Sequence, residues 1–227
     1  MVMIKIENID VYGWDAAIRG ARNPMNSWDR MDSCYNNGEF EIGENDYKLL
    51  KNLTIAGPEH RKWNRMVTVT MDITAPLYWW KEYDTYKVGT VANSCSTMHK
   101  IQAKKFELND FSHEHLLEAG LLHLHDTIEL LNEARKIFNN FDHFEPKLEK
   151  AHGFKITKKD IWWQMIQLLP TSYNQKRTVH LNYEVLGTIY HQRRHHKLTE
   201  WVDFCDMIKT LPYSEFITRE FSDKDDM

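Results

Sequence analysis

Apolar and polar residues alternate through Ile4, Ile6, Ile9 and Val11 with one slip, and this period of two predicts a first strand. Trp14 to Ala21 predicts a short helix, ended by Asn23-Pro24 because proline disfavours the α conformation in the residue before it. Residues 23–44 are rich in Asn, Asp, Ser and Gly and predict a long loop, a kind of segment that often carries function. Asp46 to Ala56 predicts a helix closed by Gly57-Pro58. Met66 to Ile73 places β-branched residues at alternate positions and predicts a strand. Pro76 fits the first turn of a helix from Leu77 to about Tyr86, and Lys87 to Met98 predicts a loop passing into a helix. From His113 to about Asn139 the spacing is helical, with Leu116, Leu117, Leu121, Leu124, Ile128, Leu131, Ala134 and Phe138 on one face. Lys158 to Leu169 predicts another helix, stopped at Pro170, and Thr178 to Leu181 predicts extended chain. Asn182 suits the cap of a helix from Tyr183 to about His191. Leu198 to Leu211 predicts the last helix, and residues 222–227 form a charged tail expected to fray. This order of elements predicts a single α/β domain over residues 1–227, with a small sheet.

Composition narrows the class of protein. A chain of 227 residues can bury roughly 70% of its unfolded surface and folds without a staple. Hydrophobic residues make up 42% and charged residues 27%, an ordinary globular balance. The net charge of −4 argues against bulk nucleic-acid binding, which needs a basic face, but leaves room for a small basic pocket for one phosphate. Cys34, Cys95 and Cys205 are far apart and form no CxxC, so a disulfide framework is not expected and a reducing, cytoplasmic setting is. No run of 18 apolar residues exists to span a membrane, and residues 1–12 lack the apolar core of a signal peptide. Aromatics reach 12%, with eight Trp and ten Tyr. They serve either a core of large side chains or a pocket for a flat ring system.

Candidate chemistry is sparse. No GxGxxG, GxxxxGK[ST] or GxSxG occurs, so standard dinucleotide, P-loop and serine-hydrolase sites are not indicated. Among the 12 histidines, His191 and His195 stand four apart, but no carboxylate or cysteine completes a metal set, and no metal site is expected. Ala92-Asn93-Ser94-Cys95-Ser96-Thr97 gathers a thiol, hydroxyls and an amide near Lys81, Lys87, His99 and Lys100. Such a segment could hold an anion or activate Cys95; alternatively Cys95 is a small packing residue. Arg193-Arg194-His195-His196-Lys197 is the most basic run. It either complements a helix C-terminus or turns a planar guanidinium fork into a pocket.

Taken together, Leu169-Pro170, then Asn182, Leu186 and Arg193 form a spaced pattern. It resembles the segment of flavin-dependent thymidylate synthases that runs from Leu-Pro through Asn-Ala-Arg-Ser-Leu to a substrate-binding Arg. Ala17-Ile18-Arg19-Gly20-Ala21-Arg22 resembles that family's opening helix, and His60 falls where the family has a flavin-contacting His. The family's signature motif corresponds here to Thr85–His99, in either of two registers. Without a gap, Lys87, Thr90 and Cys95 take the places of the second Arg and the two Ser; with a one-residue shift, Asn93 and Ser96 match the Asn and second Ser. The Arg-His-Arg start, the Glu and the terminal Arg are replaced, and Glu184 stands where the family has an Arg. Each lost guanidinium–phosphate contact removes about 1.5–3 kcal/mol.

The resemblance implies a small mixed or antiparallel sheet packed with helices and assembled as a homotetramer. It implies a pyrimidine nucleotide such as dUMP as substrate, FAD as cofactor, and NADPH and methylenetetrahydrofolate as co-reactants in dTMP biosynthesis. Residue by residue it implies Arg193 as the substrate-orienting group, with Cys95 or Ser96 at the reacting centre. His60, Asn182, Lys87 and Asn93 would hold the cofactor. The alternative is a non-catalytic homologue that keeps the fold and oligomer but binds another ligand or a partner protein.

Overall fold

The computed structural model describes residues 4–221. In chain order the elements are β1 (Lys5–Tyr12), α1 (Trp14–Arg22), β2 (Cys34–Asn36), β3 (Glu39–Glu41), α2 (Glu44–Ile55), β4 (Thr68–Pro76), α3 (Leu77–Tyr83), β5 (Val91–Ser94), α4 (Thr97–Lys100), α5 (Glu118–Asn139), α6 (Phe141–His152), α7 (Lys158–Leu168), β6 (Asn174–Asn182), α8 (Tyr183–Arg193), α9 (Thr199–Ile208) and α10 (Glu215–Thr218). One sheet has the strand order β1-β4-β6-β5, and β2 and β3 form a separate hairpin. The chain divides into two compact units. The first holds the chain up to Ile73, Glu82–Asn93 and the chain from Arg177 onward; the second holds Thr74–Lys81 and Ser94–Lys176.

In the first unit β4 shows the alternation its sequence predicts. Val69, Met71 and Ile73 are fully buried, while Thr68, Thr70 and Asp72 point to the other, partly open face. There Thr70 Oγ1 meets His180 Nδ1 at 2.9 Å and Thr178 donates to Asp72 at 2.6 Å. The paired numbers fall on one strand as they rise on the other, so β4 and β6 run antiparallel. Trp14 lies edge-on to Tyr183 and Tyr213, each at 5.2 Å, and Trp63 lies edge-on to Phe216 at 5.0 Å. Each such pair adds about 0.5–1.5 kcal/mol beyond the area it buries. Trp14, Trp63, Trp79, Trp80 and Trp201 are all buried, so most of the tryptophan serves the two cores.

In the second unit α5 packs on α7 through Leu124, Ile128, Leu131 and Ala134 against Ile161 and Met165. Asn132 on α5 accepts from Phe106 N (3.0 Å) and donates to Phe106 O (2.9 Å), replacing a sheet partner for that loop residue.

Several elements differ from expectation. The predicted loop 23–44 contains the β2–β3 hairpin, turned at Asn37 (φ 50°) and Gly38 (φ 90°), the positive pair a two-residue hairpin needs. The predicted helix from His113 starts at Glu118. Glu114 accepts from Ser112 Oγ and His113 N, and His113 Nδ1 donates to Phe111 O, a local turn that competes with helix. Leu116 and Leu117 are accordingly exposed. α6 forms although Pro146 lies inside it and removes one intrahelical bond. The predicted tail 222–227 lies outside the described residues.

Candidate functional site

The site builds around the C-terminus of α8 in the first unit. Asn182 adopts extended backbone and its Oδ1 accepts from Val185 N at 3.1 Å, which starts the helix as its sequence predicts. Eleven residues later comes Arg193. At 1.5 Å per residue the two side chains stand about 16 Å apart along one helix, so they serve different groups of any ligand.

Arg193 is 18% exposed and held on three sides. Its Nε donates to Tyr86 Oη at 2.8 Å, and its Nη1 donates to Glu82 Oε2 at 2.6 Å and stands 3.0 Å from His196 Nε2. Its guanidinium lies 4.8 Å from the Trp201 ring centre and 5.7 Å from that of Tyr86. Glu82 Oε2 also accepts from Trp201 Nε1 at 2.9 Å. His196 Nδ1 accepts from Leu198 N at 3.2 Å, and its Nε2 lies 3.6 Å from Glu82 Oε2. Nη2 of Arg193 has no hydrogen-bond partner among the described residues. The frame therefore fixes the fork and leaves one donor open.

The loop after α3 joins this frame to the start of α8. Tyr86 contacts Arg193 at one end and donates to Gln192 at 2.9 Å. Thr90 Oγ1 donates back to Tyr86 O. At the other end Gly89, at φ 77°, lies so close to Asn182 that a Cβ there would stand 3.0 Å from Nδ2. Only glycine suits both that backbone and that approach. Between them Lys87 is exposed and makes no hydrogen bond or ion pair among the described residues. Arg193, Lys87 and Asn182 thus flank one loop. Asn182 spends Oδ1 on the cap and keeps Nδ2 as a donor.

The other expected residues are placed as follows. His60 is exposed in the turn before Arg61. Asn93 is exposed on the edge strand β5. That strand shows no alternation because all four residues are exposed, which is why the sequence predicts a loop there. Cys95 and Ser96 belong to the second unit. Cys95 is an exposed free thiol whose N donates to Lys176 O at 3.0 Å and whose O accepts from Gln175 Nε2 at 2.8 Å. Ser96 Oγ accepts from His99 N and caps α4.

Sequence reasoning missed Glu82, Tyr86, His196 and Trp201, the frame of Arg193. It also missed Arg61, which makes a two-point pair with Glu184 at 2.8 and 3.1 Å. Among the described residues no three His, Cys, Asp or Glu gather as a metal site, and no helix is long and apolar enough to cross a membrane.

No protein-family model matches the chain, and no curated protein matches its sequence. Solved structures do share its fold. Thymidylate Synthase X (ThyX) from Helicobacter pylori with FAD and dUMP superimposes with a TM-score of 0.59 at 15% identity, over 95% of this chain and 96% of that one. A second structure of flavin-dependent thymidylate synthase ThyX from the same organism, complexed with FAD and dUMP, gives 0.58 at 15% identity over the same shares. The UMP/dUMP methylase PolB from Streptomyces cacaoi, bound with 5-Br dUMP, gives 0.55 at 14% identity over 96% of each chain. The fold is therefore the mixed α/β, ThyX-like fold, with a small antiparallel sheet among helices.

Proposed function

We propose that the protein binds a pyrimidine nucleotide such as dUMP together with FAD, and modifies the uracil ring at C5 as a flavin-dependent, thymidylate synthase-like methyltransferase. The observation that carries this reading is the donor set on α8 and its loop. Among the described residues Arg193 Nη2, Asn182 Nδ2 and the Lys87 ammonium are donors without partners, on or beside one segment in a ThyX-like fold. Unpaired donors suit the oxygen-rich edges of a nucleotide and an isoalloxazine ring. Arg193 would orient the nucleotide, its plane fixed by Glu82, Tyr86 and Trp201 before the ligand arrives, so little conformational entropy is lost on binding. Asn182 would donate to the flavin from a position set by its capping bond, and His60, Lys87 and Asn93 would be its other contacts. When bound, the flavin supplies hydride for reduction of the transferred one-carbon unit, with NADPH as reductant and methylenetetrahydrofolate as carbon donor. A homotetramer is the assembly this reading entails.

A second reading has its own support. Arg193 gives Nε and Nη1 to its own chain, so a protein that kept the fold without catalysis would retain this frame. Tritium release from dUMP labelled at C5 separates the two. The protein is supplied with FAD, NADPH and methylenetetrahydrofolate. Release above a no-enzyme control supports C5 chemistry; binding of dUMP without release leaves the non-catalytic reading in its place.

A further inference from the structure

On the face of α8 that carries Glu184, Gly187 and His191, three arginines meet two carboxylates. Arg61 is bound at two points by Glu184, and Arg194 pairs with Glu220 at 2.7 Å. The third, Arg219, has no hydrogen bond or ion pair for its side chain among the described residues, and its Nε is shut off from solvent. Native structures seldom leave a buried donor of this kind unpaired, since water can no longer supply the lost bond.

Its position is set where α10 ends. Arg219 ends α10 in the left-handed region at φ 61°, a conformation that a residue with a long side chain adopts at a cost. Gly187 then admits the guanidinium. A Cβ there would lie 3.2 Å from Arg219 Nη2 and 3.1 Å from Ile217 O. Burial, and then the like charge of Arg61, lower the pKa of Arg219 from its ordinary value, with Glu184 opposing. A guanidinium stays charged at neutral pH regardless. Burial, and then Arg219 and Arg194, also lower the pKa of His191, so the ring there is neutral and free to donate one N–H.

We propose that Arg219, backed by Arg61 and His191 and seated against Gly187, is a binding site for a phosphoryl group. The anion would supply the third negative charge that the arginines lack, and a planar fork matches its oxygens. The site stands on these residues alone and does not depend on the flavin or dUMP reading.

The test is thermal stability in a phosphate-free zwitterionic buffer and on titration with inorganic phosphate, pyrophosphate, dUMP, FAD and uridine. Wild type and Arg219→Met are compared, with Arg219→Lys as a second variant that keeps the charge without the fork. Phosphate or pyrophosphate is expected to raise the wild-type Tm, and uridine is not. R219M is expected to be at least as stable as wild type without anion, and to bind pyrophosphate at least about tenfold more weakly. R219K should fall between them. A larger response to dUMP or FAD than to pyrophosphate would assign the phosphoryl group to a nucleotide; an equal or larger one to the free anions would assign it to inorganic phosphate. Equal anion responses in wild type and both variants would overturn the proposal. So would a loss of stability in R219M or R219K without anion, which would make Arg219 a structural residue.

Discussion

Asp46 has no exposed side-chain surface, yet it is ionised and fully employed. One oxygen accepts from Arg22 Nε at 2.6 Å; the other accepts from Asp32 N, Ser33 N and Ser33 Oγ. Burial alone would raise its pKa, but these bonds together hold it below the usual carboxylate range. Asp32 in turn caps α2 through Asn45 N and Asp46 N. One carboxylate therefore ties α1, α2 and the segment between them. Asp46→Asn is expected to cost about 3–5 kcal/mol, because it leaves the Arg22 charge buried without its partner. The folded pKa is depressed, so the ionised carboxylate stabilises fully above the unfolded value near ~3.9 and that share is lost as pH falls through the folded value. The Tm gap between wild type and D46N should thus be constant from pH 7 to about 5 and shrink below about pH 4. A gap unchanged down to pH 3 would mean that the fold does not depress the Asp46 pKa, and a change in the gap between pH 7 and 5 would mean that the carboxyl is neutral in the fold.

At the scale of elements, α8 carries most of the argument, and it was legible. The cap at Asn182, the apolar face through Leu186 and Ile189, and the basic end at Arg193 all follow from short-range pattern. The strand β4 was legible for the same reason. What escaped was set by few exposed residues or by distant ones. β5 shows no alternation at the sheet edge, the hairpin rests on the Asn37-Gly38 pair inside a polar stretch, and α5 starts late because Glu114 binds its own neighbours. The frame of Arg193 escaped because Glu82 and Trp201 reach it over 111 and 8 residues of chain, and only folding brings them together. The two tasks given to Asn182 can be separated by substitution. Asn182→Ala should cost about 1 kcal/mol by loss of the cap and also weaken FAD binding. Asn182→Asp keeps the cap acceptor and should hold stability while still weakening FAD, since it has no Nδ2 to donate. Equal FAD affinity in N182D and wild type would remove Asn182 from the cofactor site.

At the scale of the whole molecule, the fold reads more plainly than the activity. The spacing from Leu169 to Arg193 resembled one family, and the full-length match to ThyX and PolB structures places the chain in that fold at 14–15% identity. The replaced signature residues lie between Thr85 and His99, where the chain passes from the first unit to the second. Charges that a family places there are absent, and Lys87 supplies a cation without the planar fork. The proposed nucleotide site is tested most directly by binding. The most direct measurement is a calorimetric titration of dUMP, with FAD present, into wild type and Arg193→Ala. Arg193 is 18% exposed and bonded to Glu82 and Tyr86, so its loss should cost about 2 kcal/mol of stability, a Tm change of about 4–8 °C. The account predicts saturable dUMP binding by wild type, weakened at least about tenfold in R193A. No binding by wild type, or the same affinity in both proteins, would contradict it.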